Sequence, residues 1–232
     1  MAGGVVCVIS ANAEWRAILK LLQPPACQTT PFGQMFEHTA WHGGRAFSLR
    51  FVHGGWGKIS AAASAQYILD HFQPDVLLNL GTCGGFAGLI AKGTVLVVER
   101  ALVYDIYELM GDPAEHIQFY TTPLDLGWLG AAPLPPGYQS GLNVSADRDL
   151  APEQIAGLHA QYGATAGDWE SGAIAWVCAR SHVRLLILRA VSDLVGPEGD
   201  ETYGNLAQFE SAAEDAFTRL VGDLGYWLER CT

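Results

Sequence analysis

Asp193 stands at the end of "LLILRAVSDLVG", an apolar run that closes on Ser192 and Asp193. In open α/β sheets ligands gather at the carboxyl ends of such strands, so Asp193 is either a helix cap or a working group. Two further carboxylates occupy comparable places. Glu14 falls in the first turn after the opening apolar run, and Glu170, in "GDWESGAIAWVC", lies at or just before a helix start with Trp169 beside it. Each alone is explained by the attraction of an acid to a helix N-terminus. Between them, "NLGTCGGFAG" (79–88) follows a buried strand with glycines that let a ligand approach backbone N–H groups. It has neither P-loop nor G-x-G-x-x-G spacing, and by itself it reads equally as a tight strand-to-helix turn. Carboxylates in divergent surroundings are the ordinary equipment of acid/base chemistry.

Other chemistries find less support. The seven histidines show no His-x-His spacing, and the one His-x-x-x-His pair, His38 and His42, falls in an expected hairpin strand and not on a helix face, so no metal site is expected, and no residue pattern asks for a cofactor. Gly-x-Ser-x-Gly is absent, against a hydrolase nucleophile elbow.

The elements that must hold these groups alternate strand and helix. Residues 4–10 form an apolar, β-branched strand, and "NAEWRAILKLL" a helix whose Trp15, Ile18, Leu19 and Leu22 share a face, with Asn12 as N-cap. A hairpin turns at His42-Gly43-Gly44, and 58–72 is an alanine-rich helix. Strands are expected at 74–81, 94–102, 141–147 and 184–192. Helices are expected from Pro152, over 171–181, and as one long amphipathic helix over 203–229. Residues 105–137 read as a long loop with some helix. The fold class is α/β, a single domain over 1–232 with a central mixed, twisted sheet flanked by helices. Chemistry is expected in three loops, Ser10–Glu14, Leu80–Gly88 and Ser192–Tyr203.

Composition narrows the partners. A formal charge of -11 over 232 residues argues against nucleic acid and against an anionic membrane surface. Five scattered cysteines without a Cys-x-x-Cys pair fit reduced thiols and a cytoplasmic protein, with Cys7 and Cys178 in the core. No signal peptide or membrane-length apolar run is expected.

Taken in order, these motifs carry more than any one of them. "GGWGKISAAASAQYIL", "NLGTCGGFAGLIAKGTVLVVE", "VSADRDL", "DWESGAIAWVCA", "LRAVSD" and the Thr202-Tyr203 pair resemble the purine nucleoside phosphorylase/nucleosidase superfamily over nearly the whole chain. They look most like its 5′-methylthioadenosine/S-adenosylhomocysteine nucleosidase branch. The resemblance implies that Asp193 protonates purine N7, positioned by Ser192. Glu170 then holds the ribose 2′- and 3′-hydroxyls, and Glu14 activates water. Trp169 replaces a methionine against the sugar. Thr82 and the backbone of Cys83 and Gly84 match the floor under sugar and base. Tyr203 matches the aromatic cover, and the Leu150 backbone the base-edge contact. A homodimer is implied in the same way.

The implied chemistry is physically coherent. Cleaving an N-ribosidic bond leaves an electron-rich purine beside an oxocarbenium-like sugar. Asp193 must then stay protonated although a carboxyl ordinarily titrates at about 3.9. Ionised Glu14 and Glu170 would stabilise the positive sugar. Phosphorylases of the superfamily bind phosphate through arginines where this chain has Glu14 and Asn79, and a carboxylate there repels the dianion. Hydrolysis is therefore expected. Two departures leave the base and the 5′ group open: Asp149 replaces an aromatic that stacks on adenine, and 103–137, bordering the 5′ pocket, matches poorly. Futalosine hydrolysis, phosphorolysis and a non-catalytic nucleoside-binding role are the alternatives.

Overall fold

Every side chain of β1 (Val5–Ile9) is buried, which an apolar strand achieves only with cover on both faces. The computed structural model, which describes residues 4–131, 133–197, 199–200 and 204–231, supplies that cover. After β1 come α1 (Asn12–Leu22), β2 (Gln28–Thr30), β3 (Gly33–His42), β4 (Arg45–His53), α2 (Gly57–Phe72) and β5 (Val76–Phe86). Next are β6 (Val95–Val103), α3 (Pro113–Phe119), β7 (Thr121–Pro123), β8 (Tyr138–Ser145), α4 (Pro152–Tyr162) and β9 (Ala164–Asp168). The chain finishes with α5 (Ser171–Arg180), β10 (Arg184–Gly196), β11 (Gly199–Asp200), α6 (Leu206–Gly222) and α7 (Leu224–Cys231).

Strand alternation divides the core. Val5, Cys7 and Ile9 pack with Trp15 and Ile18 of α1, Phe217 and Leu220 of α6, and Trp227 and Leu228 of α7. Val6 and Val8 face the other way, toward Ala61, Ala65 and Ile68 of α2 and Ile174 and Cys178 of α5. A third cluster joins Phe86, Val144 and Val195 to Leu150, Ile155 and Leu158.

The sheet is mixed, as expected, and it also closes. β1 pairs in parallel with β4 and β5, and β5 in parallel with β10. β10 runs antiparallel to β6, β6 and β8 then β8 and β9 are parallel, and β9 returns antiparallel to β5. Five strands thus form a ring, from which β1, β4, β3 and β2 extend. Among the described residues no helix is long and apolar enough to cross a membrane.

Several boundaries differ from the sequence reading. The N-cap of α1 is Ala11, and Asn12 is already helical. β5 runs to Phe86, so the glycines from 81 to 85 lie within a strand and not in a strand-to-helix turn. β10 likewise runs through Asp193 to Gly196, which removes the helix-cap reading of Asp193. The last helix is two, parted at Asp223, which serves as C-cap and accepts the Tyr138 hydroxyl at 2.9 Å. β9 was not expected at all, since Ala164, Ala166 and Gly167 carry little strand preference.

Candidate active site

The site grows from the second halves of β5 and β10. Beyond Arg184, which stands beside Val76, their first halves match apolar residue to apolar residue, Leu77 and Leu78 beside Leu185 and Leu186. Polarity begins at Asn79 and Arg189. Arg189 is fully buried, a placement tolerated only with paired charge. Its Nε lies 2.6 Å from Asp168 Oδ2 and 2.8 Å from Ser171 Oγ, and Nη2 donates to Asn79 Oδ1 at 2.6 Å. Nη1 occupies the space over Gly81, where a Cβ would stand 1.8 Å from it and 3.0 Å from Glu14 Oε1. Glycine at 81 therefore seats the guanidinium beside Glu14.

Glu14 is 3% exposed. Its Oε1 accepts from the Thr82 amide at 2.6 Å and from Thr82 Oγ1 at 2.8 Å, while Oε2 accepts from the Ala11 amide at 3.2 Å. One carboxylate thus ties the start of α1 to the middle of β5. Burial pushes its pKa up, and Arg189 and the Thr82 donors pull it back without cancelling that shift. A carboxylate made more basic in this way is suited to taking a proton from water.

Asp193 reaches the site through a bulge. The register passes from Val191 opposite Cys83 to Asp193 opposite Gly84, with Ser192 as the extra residue. In an unbroken strand Asp193 would share the face of Val191; the bulge turns it onto the face of Gly84. Asp193 Oδ2 would stand 3.4 Å from a Cβ on Gly84, and the residue is 5% exposed. The Ser192 hydroxyl donates to Asp193 Oδ1, with the Cys83 carbonyl as an alternative acceptor at 3.3 Å. Burial and the surrounding carboxylates hold the Cys83 thiol well above its usual pKa, so it stays un-ionised and unreactive.

Glu170 is the N-cap residue of α5 and is buried. Its Oε1 accepts from the Gly57 amide at the start of α2 at 3.0 Å. Burial first, and then the negative charge of Asp168, push its carboxyl up to about 8. Hydrogen bonds donated by ligand hydroxyls would favour its ionised form. Trp169 next to it packs on Trp56, ring centroids 5.8 Å apart. The side chain of Leu150 fills the space over Gly84 and Gly167, 3.0 Å and 2.8 Å from where their Cβ atoms would be.

Glu14, Thr82, Cys83, Gly84, Ser192, Asp193 and Leu150 are thus linked by direct contacts, with Glu170 joined through the charges of Arg189 and Asp168. Tyr203 lies outside the described residues. Sequence reasoning assigned no role to Arg189, Asp168, Gly81 or Gly57. The available signal was the lone charge of Arg189 inside an apolar strand, since an arginine that goes inside must be paired. Among the described residues no group of three or more His, Cys, Asp or Glu is placed to hold a metal ion.

Known proteins resemble this chain over most of its length. The 5′-methylthioadenosine/S-adenosylhomocysteine nucleosidase of Maridesulfovibrio salexigens is 28% identical over 221 residues, 89% of this chain and 93% of that protein. The enzyme of the same name from Geobacillus kaustophilus is 28% identical over 209 residues, 84% and 87% of the two chains. The fold is shared with the nucleosidase of S. pneumoniae bound to a transition-state inhibitor, with TM-score 0.72, 20% identity and coverage of 95% and 98%. It is also shared with the Colwellia psychrerythraea nucleosidase in complex with adenine, with TM-score 0.71, 23% identity and coverage of 98% and 96%. The phosphorylase superfamily model matches residues 5–224, spanning all three carboxylates and the strands that carry them, and the chain belongs to that superfamily.

Proposed function

We propose that this protein is a nucleosidase that hydrolyses the N-ribosidic bond of a purine nucleoside, releasing free adenine from a 5′-modified substrate such as methylthioadenosine or S-adenosylhomocysteine. One observation carries the reading: two buried carboxyl groups flank the Thr82–Gly84 segment, Glu14 bonded to Thr82 and Asp193 against Gly84. A base and an acid across one narrow floor are what displacement at an anomeric carbon requires.

In the proposed reaction the C1′–N9 bond breaks and its electron pair passes to the purine, whose N7 takes the proton of Asp193. Ser192 holds that carboxyl in place. Water forms the new bond to C1′ and yields a proton to Glu14, whose raised pKa suits it to the task. Glu170 accepts hydrogen bonds from the ribose 2′- and 3′-hydroxyls, with Trp169 against the sugar. Thr82, Cys83 and Gly84 line the floor. Leu150 contacts the base through its backbone, and Tyr203 covers the ligand. General acid and general base each contribute about 10²–10⁴ in rate. No step calls for a metal or cofactor.

The proposal extends to a homodimer in the cytoplasm. Exposed Ile59 on α2 and Tyr107, Leu109 and Met110 after β6 lie in segments that Lys58 and Asp105 join, and a partner subunit would cover them. All five cysteines are free thiols, which suits a reducing compartment. The test is incubation with methylthioadenosine, S-adenosylhomocysteine, adenosine, inosine and futalosine, with and without phosphate. Adenine release independent of phosphate supports hydrolysis. A strict phosphate requirement, or no base from any nucleoside, overturns it.

A further inference from the structure

Glu99 interrupts the pattern of its own strand. On β6, Val95 and Val97 pack into the cluster that α6 and α7 cover, and two residues further on stands a carboxylate. The pairing slips at that point. Val98 lies opposite Gly141 and Arg100 opposite Leu142, which leaves Glu99 as the extra residue of a bulge. Bulges re-aim side chains, and Glu99 lines the same cavity as Val97, of about 190 Å³. Leu126 and Leu129 wall it on the loop side and Trp227 on the side of α7, with the Ser140 hydroxyl from β8. The loop is tied to α7 by the Tyr226 hydroxyl, which donates to the Pro133 carbonyl at 3.0 Å. Arg230 brings the opposite charge to this cavity. Its guanidinium lies over the Tyr226 ring, 3.4 Å from the centroid, and Nη1 donates to the Tyr226 carbonyl at 2.8 Å. That contact orients the planar fork and occupies one of its donors. Among the described residues neither Arg230 nor Glu99 forms an ion pair, so the two charges face one cavity without neutralising each other.

Two opposite charges over an apolar wall are complementary to a zwitterion with an apolar tail. We infer that this cavity is a binding site for an apolar α-amino acid. Glu99 takes the ammonium, the Arg230 fork takes the carboxylate, and Leu126, Leu129 and Trp227 cover the side chain. Size agrees with this class. An apolar cavity of about 150 Å³ holds benzene, so about 190 Å³ suits leucine or methionine and is too small for a nucleoside. Neither Glu14, Glu170 nor Asp193 lines the cavity, and the inference does not depend on the reaction proposed above.

The test is isothermal titration calorimetry of the full chain with leucine and methionine. The controls are isoamylamine, which lacks the carboxylate, isocaproate, which lacks the ammonium, and aspartate, which lacks the apolar tail. At least one of the two amino acids should bind saturably with Kd of about 1 mM or tighter, and each control about tenfold or more weakly. Glu99→Gln and Arg230→Met should each weaken the amino acid about tenfold or more. Arg230→Lys, which keeps the charge and loses the fork, should fall between Arg230→Met and the native protein. Absence of saturable binding by both amino acids overturns the site, as does equal affinity for isoamylamine or isocaproate. Should Arg230→Met fail to fold, Glu99→Gln on its exposed bulge still decides: unchanged affinity there refutes the inference.

Discussion

The two halves of β5 and β10 obey different rules. Toward their amino ends the strands pair Val76, Leu77 and Leu78 with Arg184, Leu185 and Leu186, and beyond the exposed Arg184 the side chains are apolar and buried. Toward their carboxyl ends the same two strands bury Asn79, Thr82, Arg189, Ser192 and Asp193, and each of these groups has a partner. The first half is cemented by transfer of apolar area from water. The second contributes little net stability, because desolvation of buried charge offsets its Coulombic gain. Size of cavity does not follow chemistry here. A groove of about 730 Å³ lies at the amino ends, lined by Arg45, Asp75, His182 and Arg184, and all four of those side chains are exposed. Buried, mutually paired polar groups mark the working end.

Substitutions can separate the two halves. Glu14→Gln at the polar end should lower kcat by about 10³ while the protein keeps its fold, read from base release and circular dichroism. Comparable turnover in the variant would remove Glu14 from the reaction. Arg189→Met leaves Asp168 and Glu14 buried without their cation, and should cost about 3–5 kcal/mol in stability, measured by urea denaturation; a neutral outcome would mean that the network carries no charge. Leu186→Ala at the apolar end should cost about 2–5 kcal/mol, yet the folded fraction should keep the native kcat and pH profile. A changed profile would blur the division between the halves.

A pH slope tests the polar end in another way. Glu170 is raised to about 8 from an ordinary 4.5, so the folded state binds its proton more tightly than the unfolded chain does. That stabilisation is complete below about pH 4.5 and is lost as pH rises through about 8. Thermal melting should therefore show Tm falling across this window, and Glu170→Gln should flatten part of the fall. Identical slopes in both proteins would contradict the raised value.

The apolar end was legible in the sequence, and the polar end only in part. Runs such as Val5–Ile9 and Leu185–Leu188 identify buried strands because nothing else suits so continuous an apolar stretch. Helix faces such as Trp15, Ile18 and Leu22 follow from period alone. The acids at 14, 170 and 193 were visible as residues, but each had an ordinary reading until their order along the chain was considered. Three things escaped because they are properties of pairing. Closure of the ring depends on β9, whose Gly167 leaves the space that Leu150 fills. The bulge at Ser192 is a matter of register against Cys83 and Gly84. The place of Arg189 depends on an absent side chain at Gly81 on the neighbouring strand.

The most direct measurement concerns Asp193, the residue that the bulge turns into the site. Asp193→Asn keeps the shape and the Ser192 contact but has no acidic proton for the purine. With methylthioadenosine in phosphate-free buffer, single-turnover adenine release should slow by about 10³ or more, while nucleoside affinity and Tm stay close to native. Release at the native rate by a folded Asp193→Asn protein would contradict the assignment of the acid and, with it, the chemistry placed at this end of the sheet.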